Sequence, residues 1–216
     1  MQQIIEKITQ SLIRGELKPG DRLPPEPELA SQLGVSRTSL REALKTLGGL
    51  GVLVAKKRGG TFIATAASQA MFDPLIFNLI IEKGSKDELL ELRVLLEVDA
   101  VELAMNKAAA ADYAMLEEDL RQFEETLPSG DLERLAELDL RFHLRILEMS
   151  KNQSFIRIST VVMQLFASPI EKTLKQIGPA QVLTNHRALC QAMRDKDLLR
   201  AKDHIIRSFE NSRQFM

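Results

Sequence analysis

Two ionisable side chains stand four residues apart in the second half of the sequence. Asp139 and His143 fall on one face of a predicted helix, because residues at this spacing are neighbours on a helix surface. Phe142 lies beside them, so we expect this face to point into a core. His186 lies on the apolar stripe of a later predicted helix and His204 on the last one. A carboxylate and imidazoles that converge inside a helical bundle are typical ligands of zinc or a similar divalent ion.

The same residues also fit a second interpretation, in which Asp139 and the histidines form a hydrogen-bonded core pair without a metal. A buried carboxylate needs a cationic partner or a metal, and the spacing alone fits both. Arg93 is a candidate to bind the carboxylate of a small effector, or to pair with Glu97 four residues later in its own helix. The single cysteine, Cys190, excludes an intrachain disulfide and is more typical of a core residue than of a redox sensor.

Helices are the elements that the sequence predicts around these residues. From residue 75 onward, apolar residues recur at helical spacing, and short breaks separate the segments. The predicted helices are 75–83, 86–108, 111–127, 131–150, 153–175, 179–195 and 197–213. Short connections favour antiparallel neighbours, so we expect an all-α antiparallel bundle here.

The composition is that of an ordinary soluble protein. Of the 216 residues, 44% are hydrophobic and 27% are charged. No apolar run reaches the ~20 residues that a membrane-spanning helix needs. The first residues include an acid and lack an apolar signal core. We therefore expect a cytoplasmic protein that does not associate with a membrane.

The first 65 residues differ from the rest in the placement of turn-forming residues, and they include a turn-rich stretch that ends at Pro25. The elements predicted there are helices over 4–13, 26–33 and 39–47, followed by hairpin strands over 52–55 and 61–64. This is the order of a winged helix-turn-helix. The sequence therefore predicts a mainly α protein with a winged helix-turn-helix at 1–65, a linker at 66–74 and an all-helical domain at 75–216.

Basic and polar residues indicate where this first domain could contact DNA. Residues 1–65 carry ten Lys and Arg against six acidic residues, whereas the remainder has a net charge of −5. The first turns of the second helix in a helix-turn-helix reach base edges in the major groove, and arginine suits a bidentate contact with guanine or phosphate. The candidate DNA-contacting residues are Ser36, Arg37, Thr38, Ser39 and Arg41 on this helix and Lys57, Arg58 and Gly59 on the hairpin.

The first domain also contains a set of motifs in a characteristic order. They are Gly15-Glu16-Leu17-Lys18-Pro19-Gly20-Asp21-Arg22-Leu23-Pro24-Pro25-Glu26, Leu29-Ala30, Leu33-Gly34-Val35-Ser36-Arg37-Thr38, Leu40-Arg41-Glu42-Ala43-Leu44 and Arg58-Gly59-Gly60-Thr61-Phe62. In these motifs the chain resembles the GntR family of regulators. The resemblance implies that Arg37, Arg41 and the wing contact operator DNA. That family commonly has an arginine where Pro27 stands, which implies one DNA contact fewer and a different preferred operator.

Sparser motifs follow in the helical part. They are Glu91-Leu92-Arg93, Glu97, Ala100, Leu103-Ala104, Asp139, Phe142-His143, Asn152, His186-Arg187-Ala188-Leu189, Asp197 and Ala201. Here the chain resembles the FadR-type branch of the family, with its helical FCD effector domain. The resemblance favours metal, with zinc as the expected ion, because the residues matching Asp139, His143 and His186 are ligands in many such domains. Ser208 stands where that pattern has a third histidine, and His204, one turn earlier, is the candidate substitute.

These observations predict a homodimeric, sequence-specific transcription regulator that binds double-stranded operator DNA. A small carboxylate effector, bound by the metal or by Arg93, would control it, and repression is the expected mode. One alternative is a metal-dependent enzyme that uses the same Asp and His residues, although a DNA-binding domain is superfluous to catalysis. The other is an architectural DNA-binding protein without a ligand, which has no need of inward-facing Asp and His.

Overall fold

The structure, a computed structural model, describes residues 1–57, 59–66, 68, 74, 78 and 86–213. At residues 86, 167–169 and 211–213 it describes the backbone alone. The chain divides into two compact units, Met1–Asn78 and Leu79–Met216.

The N-terminal unit contains three helices and one hairpin. The elements are α1 (Gln2–Ile13), α2 (Glu26–Leu33), α3 (Arg37–Gly49), β1 (Leu53–Lys56) and β2 (Gly60–Ile63). The strands pair antiparallel, with Leu53 opposite Ile63 and Lys56 opposite Gly60. The predicted winged helix-turn-helix is thus confirmed. One boundary was wrong, because Gly48 and Gly49 belong to α3 and the chain leaves the helix only at Gly51, where φ is +74°.

A turn between α2 and α3 sets the direction of the second helix. Gly34 ends α2 in the left-handed conformation with φ +68°, a backbone state that glycine adopts without steric cost. Ser36 then caps α3, because its Oγ accepts the Ser39 N–H at 3.1 Å. The small core beneath consists of Ile4, Ile8, Leu23, Leu29, Ala30, Leu40, Ala43, Leu47, Leu53 and Ile63. The apolar face of α3 is therefore buried, and its polar residues lie on the surface.

The C-terminal unit is helical throughout its described part. Its elements are α4 (Lys86–Lys107), α5 (Ala110–Thr126), a 3₁₀ turn (Leu127–Ser129), α6 (Leu132–Met149), α7 (Gln153–Gln164), α8 (Ala167–Ile177), α9 (Pro179–Arg194) and α10 (Leu198–Arg213). Helix α6 packs against α4, α5, α7 and α8, while α9 packs against α10, α5 and α8. The predicted bundle is confirmed, and α6 lies at its centre.

One helix prediction was wrong in this unit. The segment predicted as a single helix over 153–175 is two helices, α7 and α8, with a joint at Leu165 and Phe166. The two N–H groups of the joint bond to carbonyls only three residues back, at Val162 and Met163. Pro169 accounts for the break, because it has no N–H to donate to the carbonyl four residues earlier.

Two further expectations concern the whole chain. Of the helix predicted over 75–83, only residue 78 is described, and it is helical; the rest lies outside the described residues. Within the described ranges, no helix combines the length and the apolar character that crossing a membrane requires.

Candidate nucleic-acid interface and buried metal centre

The beginning of α3 presents most of the predicted DNA-contacting residues to solvent. Ser36, Arg37, Thr38 and Arg41 are exposed, and Ser39 is half-buried because its hydroxyl pairs with that of Ser36 at 2.9 Å. The positive end of the helix dipole and the two arginines lie at the same end of the helix. This surface can bind phosphate groups and can reach base edges.

The exposed Arg41 side chain pairs with an acidic residue of the neighbouring helix. Its Nε donates to Glu26 Oε2 at 2.6 Å, which joins α3 to the first turn of α2. Sequence reasoning missed Glu26, because the two residues are fifteen positions apart and no periodicity relates them. The contact depends on the angle between the two helices, which the turn at Gly34 determines.

The hairpin supplies a second basic surface, hereafter the wing (Leu53–Ile63). Lys57 is exposed at its tip and Gly59 is half-buried, while Arg58 lies outside the described residues. Gly60 has a φ of +94°, and a Cβ there would meet the Arg22 guanidinium at 3.0 Å. The wing therefore brings Arg22, a basic residue that the sequence analysis did not select, next to its second strand.

In the C-terminal unit, three of the four predicted metal ligands converge. Asp139, His143 and His186 each offer one ligand atom, and these atoms lie within 4.8 Å of one another. Asp139 Oδ2 is 3.7 Å from His143 Nε2, and Asp139 Oδ1 is 3.4 Å from His186 Nε2. Asp139 and His143 come from α6 and His186 comes from α9, so the packing of these helices assembles the group.

The buried ion pair of Arg93 and Glu97 contacts the Nδ1 side of the His143 ring. Glu97 Oε2 lies 2.9 Å from His143 Nδ1, and Glu97 Oε1 accepts the Nε–H of Arg93 at 2.8 Å. Arg93 and Glu97 are only 4% and 5% exposed. Burial alone would raise the pKa of Glu97, but the charges of His143 and Arg93 outweigh it and lower that pKa to about 2. The sequence spacing relates Glu97 only to Arg93. Its contact with His143 depends on the packing of α4 on α6.

The pKa values of the two histidines are shifted in opposite directions because their neighbours differ. Burial disfavours the charged form of His143, but the Glu97 carboxylate prevails and raises the pKa of this imidazole. Burial, reinforced by the charge of His143, lowers the pKa of His186 well below its usual value. Burial also raises the pKa of Asp139. His186 is therefore a neutral imidazole with a lone pair, the form that binds metals.

A small cavity adjoins this group. Its volume is about 40 Å³, and Arg93 and Ser208 line it together with all three members of the group. The guanidinium of Arg93 lies between two aromatic rings, 4.7 Å from the centroid of Phe166 and 4.8 Å from that of Phe209. Arg93 thus pairs with Glu97 and also faces the cavity, so the two interpretations of this residue are compatible.

His204 does not join the group. It is half-buried and lines a smaller cavity of about 20 Å³, to which His143 and His186 also contribute. Ser208, one turn later on α10, lines this cavity and also the larger one beside Asp139. Among the described residues only Asp139, His143 and His186 bring ligand atoms within 4.8 Å of one another, so His204 does not take the place of a third histidine.

The donor set fits a divalent metal ion. Glu97 holds the Nδ1 of His143, so its Nε2 is directed toward Asp139, the arrangement in which a carboxylate orients a metal-binding histidine. His186 Nδ1 is buried and finds no hydrogen-bond partner among the described residues, a costly state for a ring nitrogen. Two imidazoles and a carboxylate suit zinc, and three protein ligands leave coordination positions for another molecule.

The fold and these surfaces define a class of protein, a winged-helix DNA-binding regulator with a helical sensory domain. Residues 1–63 match the family of bacterial regulatory proteins named gntR, and residues 88–211 match the FCD domain. The chain belongs to the GntR family and carries the FCD domain of its FadR-type branch. Proteins of this family are transcription regulators, not enzymes.

Several known proteins are similar to this chain. The HTH-type transcriptional regulator LutR of Bacillus subtilis is 32% identical over 161 residues, covering 74% of this chain and 73% of that protein. A putative L-lactate dehydrogenase operon regulatory protein of Escherichia coli is 30% identical, covering 88% and 76%. The galactonate operon transcriptional repressor of E. coli is 26% identical, covering 90% and 87%. A solved structure of Streptococcus agalactiae GntR has a TM-score of 0.66 at 28% identity, covering 99% and 98%.

Proposed function

We propose that this chain is a homodimeric repressor whose α3 and wing bind operator DNA and whose helical domain binds a small hydroxy acid together with zinc. The observation that carries the proposal is the buried group of Asp139, His143 and His186, which shares a cavity with Arg93. A buried acid and two imidazoles are expensive for a core, so a role in binding explains them better than a role in folding.

The DNA side of the proposal rests on the exposed side chains at the start of α3. Arg41→Ala should weaken binding to a duplex from the upstream region of the protein's own gene by roughly tenfold or more, because a bidentate arginine contact is worth ~1–3 kcal/mol. Arg14→Ala is the matched control, since Arg14 is exposed at the end of α1 and pairs only with Glu16 in the described structure. Equal affinities of the two variants would contradict the assignment of α3.

A second copy of the chain would bring two recognition helices to a pseudo-palindromic site. Large apolar side chains on the neighbouring helices α4 and α10 support pairing through this face. They are Leu92, Leu95, Leu199 and Ile206, and each is at least 36% exposed. Leu95→Glu should convert the dimer to a monomer in analytical ultracentrifugation. Met115→Glu, a change at an exposed apolar residue on α5, is the control.

The effector side rests on the chemistry of the cavity. Metal and guanidinium both attract a carboxylate, and zinc would also accept a neighbouring hydroxyl oxygen. Two relatives are named for operons of L-lactate dehydrogenase and galactonate, and both names refer to small hydroxy acids. We therefore assign a hydroxy acid as the effector class. Its preference for one arrangement of the two DNA-binding domains would then change the affinity for DNA.

Titration calorimetry tests this site in two steps. Zinc chloride should bind the chelator-treated protein with one ion per chain, and L-lactate or D-galactonate should bind more tightly to the zinc-loaded form. Asp139→Ala should abolish zinc binding, whereas Asp99→Ala, at an exposed acid on α4, should not. Zinc binding that survives Asp139→Ala would overturn the proposed site. An affinity for the acid that is the same with and without zinc would overturn it as well.

A further inference from the structure

The arginine proposed to read DNA is already held by a carboxylate in the free protein. Glu26 Oε2 accepts the Nε–H of Arg41 at 2.6 Å, and Arg41 and Glu26 side chains are 69% and 41% exposed. Exposed ion pairs of this kind contribute little to stability. A contribution to the stability of the N-terminal unit therefore does not explain why an acid stands on a surface expected to face phosphate groups.

The contact uses one side of the guanidinium and leaves the other available. Glu26 bonds to Nε, which is the nitrogen nearest the chain. The two terminal NH₂ groups are the pair that matches the O6 and N7 acceptors of guanine in the major groove. Glu26 can therefore stay bonded while Arg41 contacts a base, and in doing so it fixes the plane and direction of the guanidinium.

The carboxylate itself is held in place by the backbone around it. Glu26 stands between Pro25 and Pro27 at the beginning of α2, and the proline rings fix φ on both sides. The backbone that carries the Glu26 carboxylate is therefore restricted, and the Arg41 guanidinium bonds to a side chain that starts from a fixed place at the beginning of α2. An acid at this place also repels the phosphate group that a free arginine would otherwise bind.

We propose that Glu26 is a positioning residue that determines specificity: it directs Arg41 to a base edge and prevents it from binding the DNA backbone indiscriminately. The proposal rests on the proposed function, in which α3 enters the major groove. It predicts that Glu26 improves discrimination between sequences while lowering affinity for DNA in general. Loss of a residue that only stabilised the fold would not change the discrimination between sequences and the general affinity for DNA in opposite directions.

The test starts with selection of a preferred duplex from a random library by the full-length protein. Fluorescence anisotropy then gives the affinities of Glu26→Ala and Glu26→Gln for this duplex and for poly(dI-dC). We expect Glu26→Ala to lower the ratio of specific to non-specific affinity about tenfold. Its non-specific binding should rise, with a salt slope steeper by about one because Arg41 gains a phosphate contact. Glu26→Gln keeps an acceptor for the Nε–H, so its ratio should lie between those of the wild type and Glu26→Ala.

A double-mutant cycle separates this inference from the proposed function. Glu26→Ala should have no further effect on the ratio in an Arg41→Ala background, because Glu26 acts through Arg41. Glu28→Gln is the control, since Glu28 is exposed on the same helix and bonds to Gln32. An unchanged ratio in Glu26→Ala, or an equal loss in both backgrounds, overturns the inference. Failure to select any duplex, or no effect of Arg41→Ala, overturns the proposed function and the inference with it.

Discussion

The two units place their charged residues in opposite surroundings. In the N-terminal unit, Arg37 and Arg41 are exposed, and burial of the apolar face of α3 brings them to the surface. In the C-terminal unit, Arg93, Glu97 and Asp139 are buried among helices. Exposed charges can be exchanged at little cost to the fold, whereas buried charges must be satisfied together. Operator preference can therefore change with little effect on stability, while a change in the sensory site affects the fold as well.

Removal of Glu97 gives the largest expected effect. Glu97→Ala leaves Arg93 buried without its partner and should lower the free energy of unfolding by about 3–5 kcal/mol. Urea denaturation followed by circular dichroism measures this loss. Glu102→Ala is the control on the same helix, because its partner Lys202 is partly exposed, and its loss should stay below about 1 kcal/mol. Equal losses would remove the distinction between buried and exposed pairs.

At Asp139 we expect a substitution to raise the free energy of unfolding instead of lowering it. Burial raises the pKa of Asp139 and so favours its neutral acid, and the nearest histidine nitrogen is 3.4 Å away. Asp139→Leu replaces this poorly partnered polar group with an apolar side chain, so the chelator-treated protein should gain about 1–2 kcal/mol of stability. The same variant should lose all stabilisation by added zinc. Thermal melting with EDTA and with zinc measures both effects. A variant less stable than the wild type in EDTA would mean that Asp139 contributes to folding, and the sensory site would then carry no cost in stability.

The cap of α3 has a local effect. Ser36→Ala removes the acceptor of the Ser39 N–H and should cost about 1 kcal/mol, which corresponds to roughly fivefold faster exchange of the amides in the first turn of α3. Hydrogen–deuterium exchange of the full-length protein measures it. Thr38→Ala, at an exposed position in the same turn, is the control. Faster exchange across the helical domain as well would contradict the local effect expected of a helix cap.

The smallest effect is expected at the single cysteine. Burial raises the pKa of Cys190 to about 12, so almost no thiolate forms at pH 8. Ellman's reagent should not react with the native protein and should titrate one thiol per chain in guanidinium chloride. Ser31→Cys places a thiol at an exposed position on α2, and it should react at once in the folded state. A fast reaction of native Cys190 would instead indicate opening of the bundle.

The sequence predicted the N-terminal unit better than the buried site, for a physical reason. Turn residues and apolar spacing are local signals, and they identified α2, the helix that follows it and the arginines of that helix. Contacts between elements carry no such signal. Spacing brought Asp139 and His143 together, but the contact of Glu97 with His143, the Glu26–Arg41 pair and the place of His204 depend on how helices pack. The break in the predicted helix over 153–175 does have a local signal, which is Pro169. Its missing N–H cannot continue the backbone hydrogen bonds of a helix.

That joint has a mechanical consequence. Phe166 lies where α7 ends and α8 begins, and its ring stacks on Arg93 at the wall of the cavity. A continuous helix resists bending along its whole length, whereas a joint at which the regular four-residue hydrogen bonds are interrupted lets two helices change their angle. We therefore expect a displacement of the Arg93 guanidinium to change the angle between α7 and α8 rather than to bend either helix.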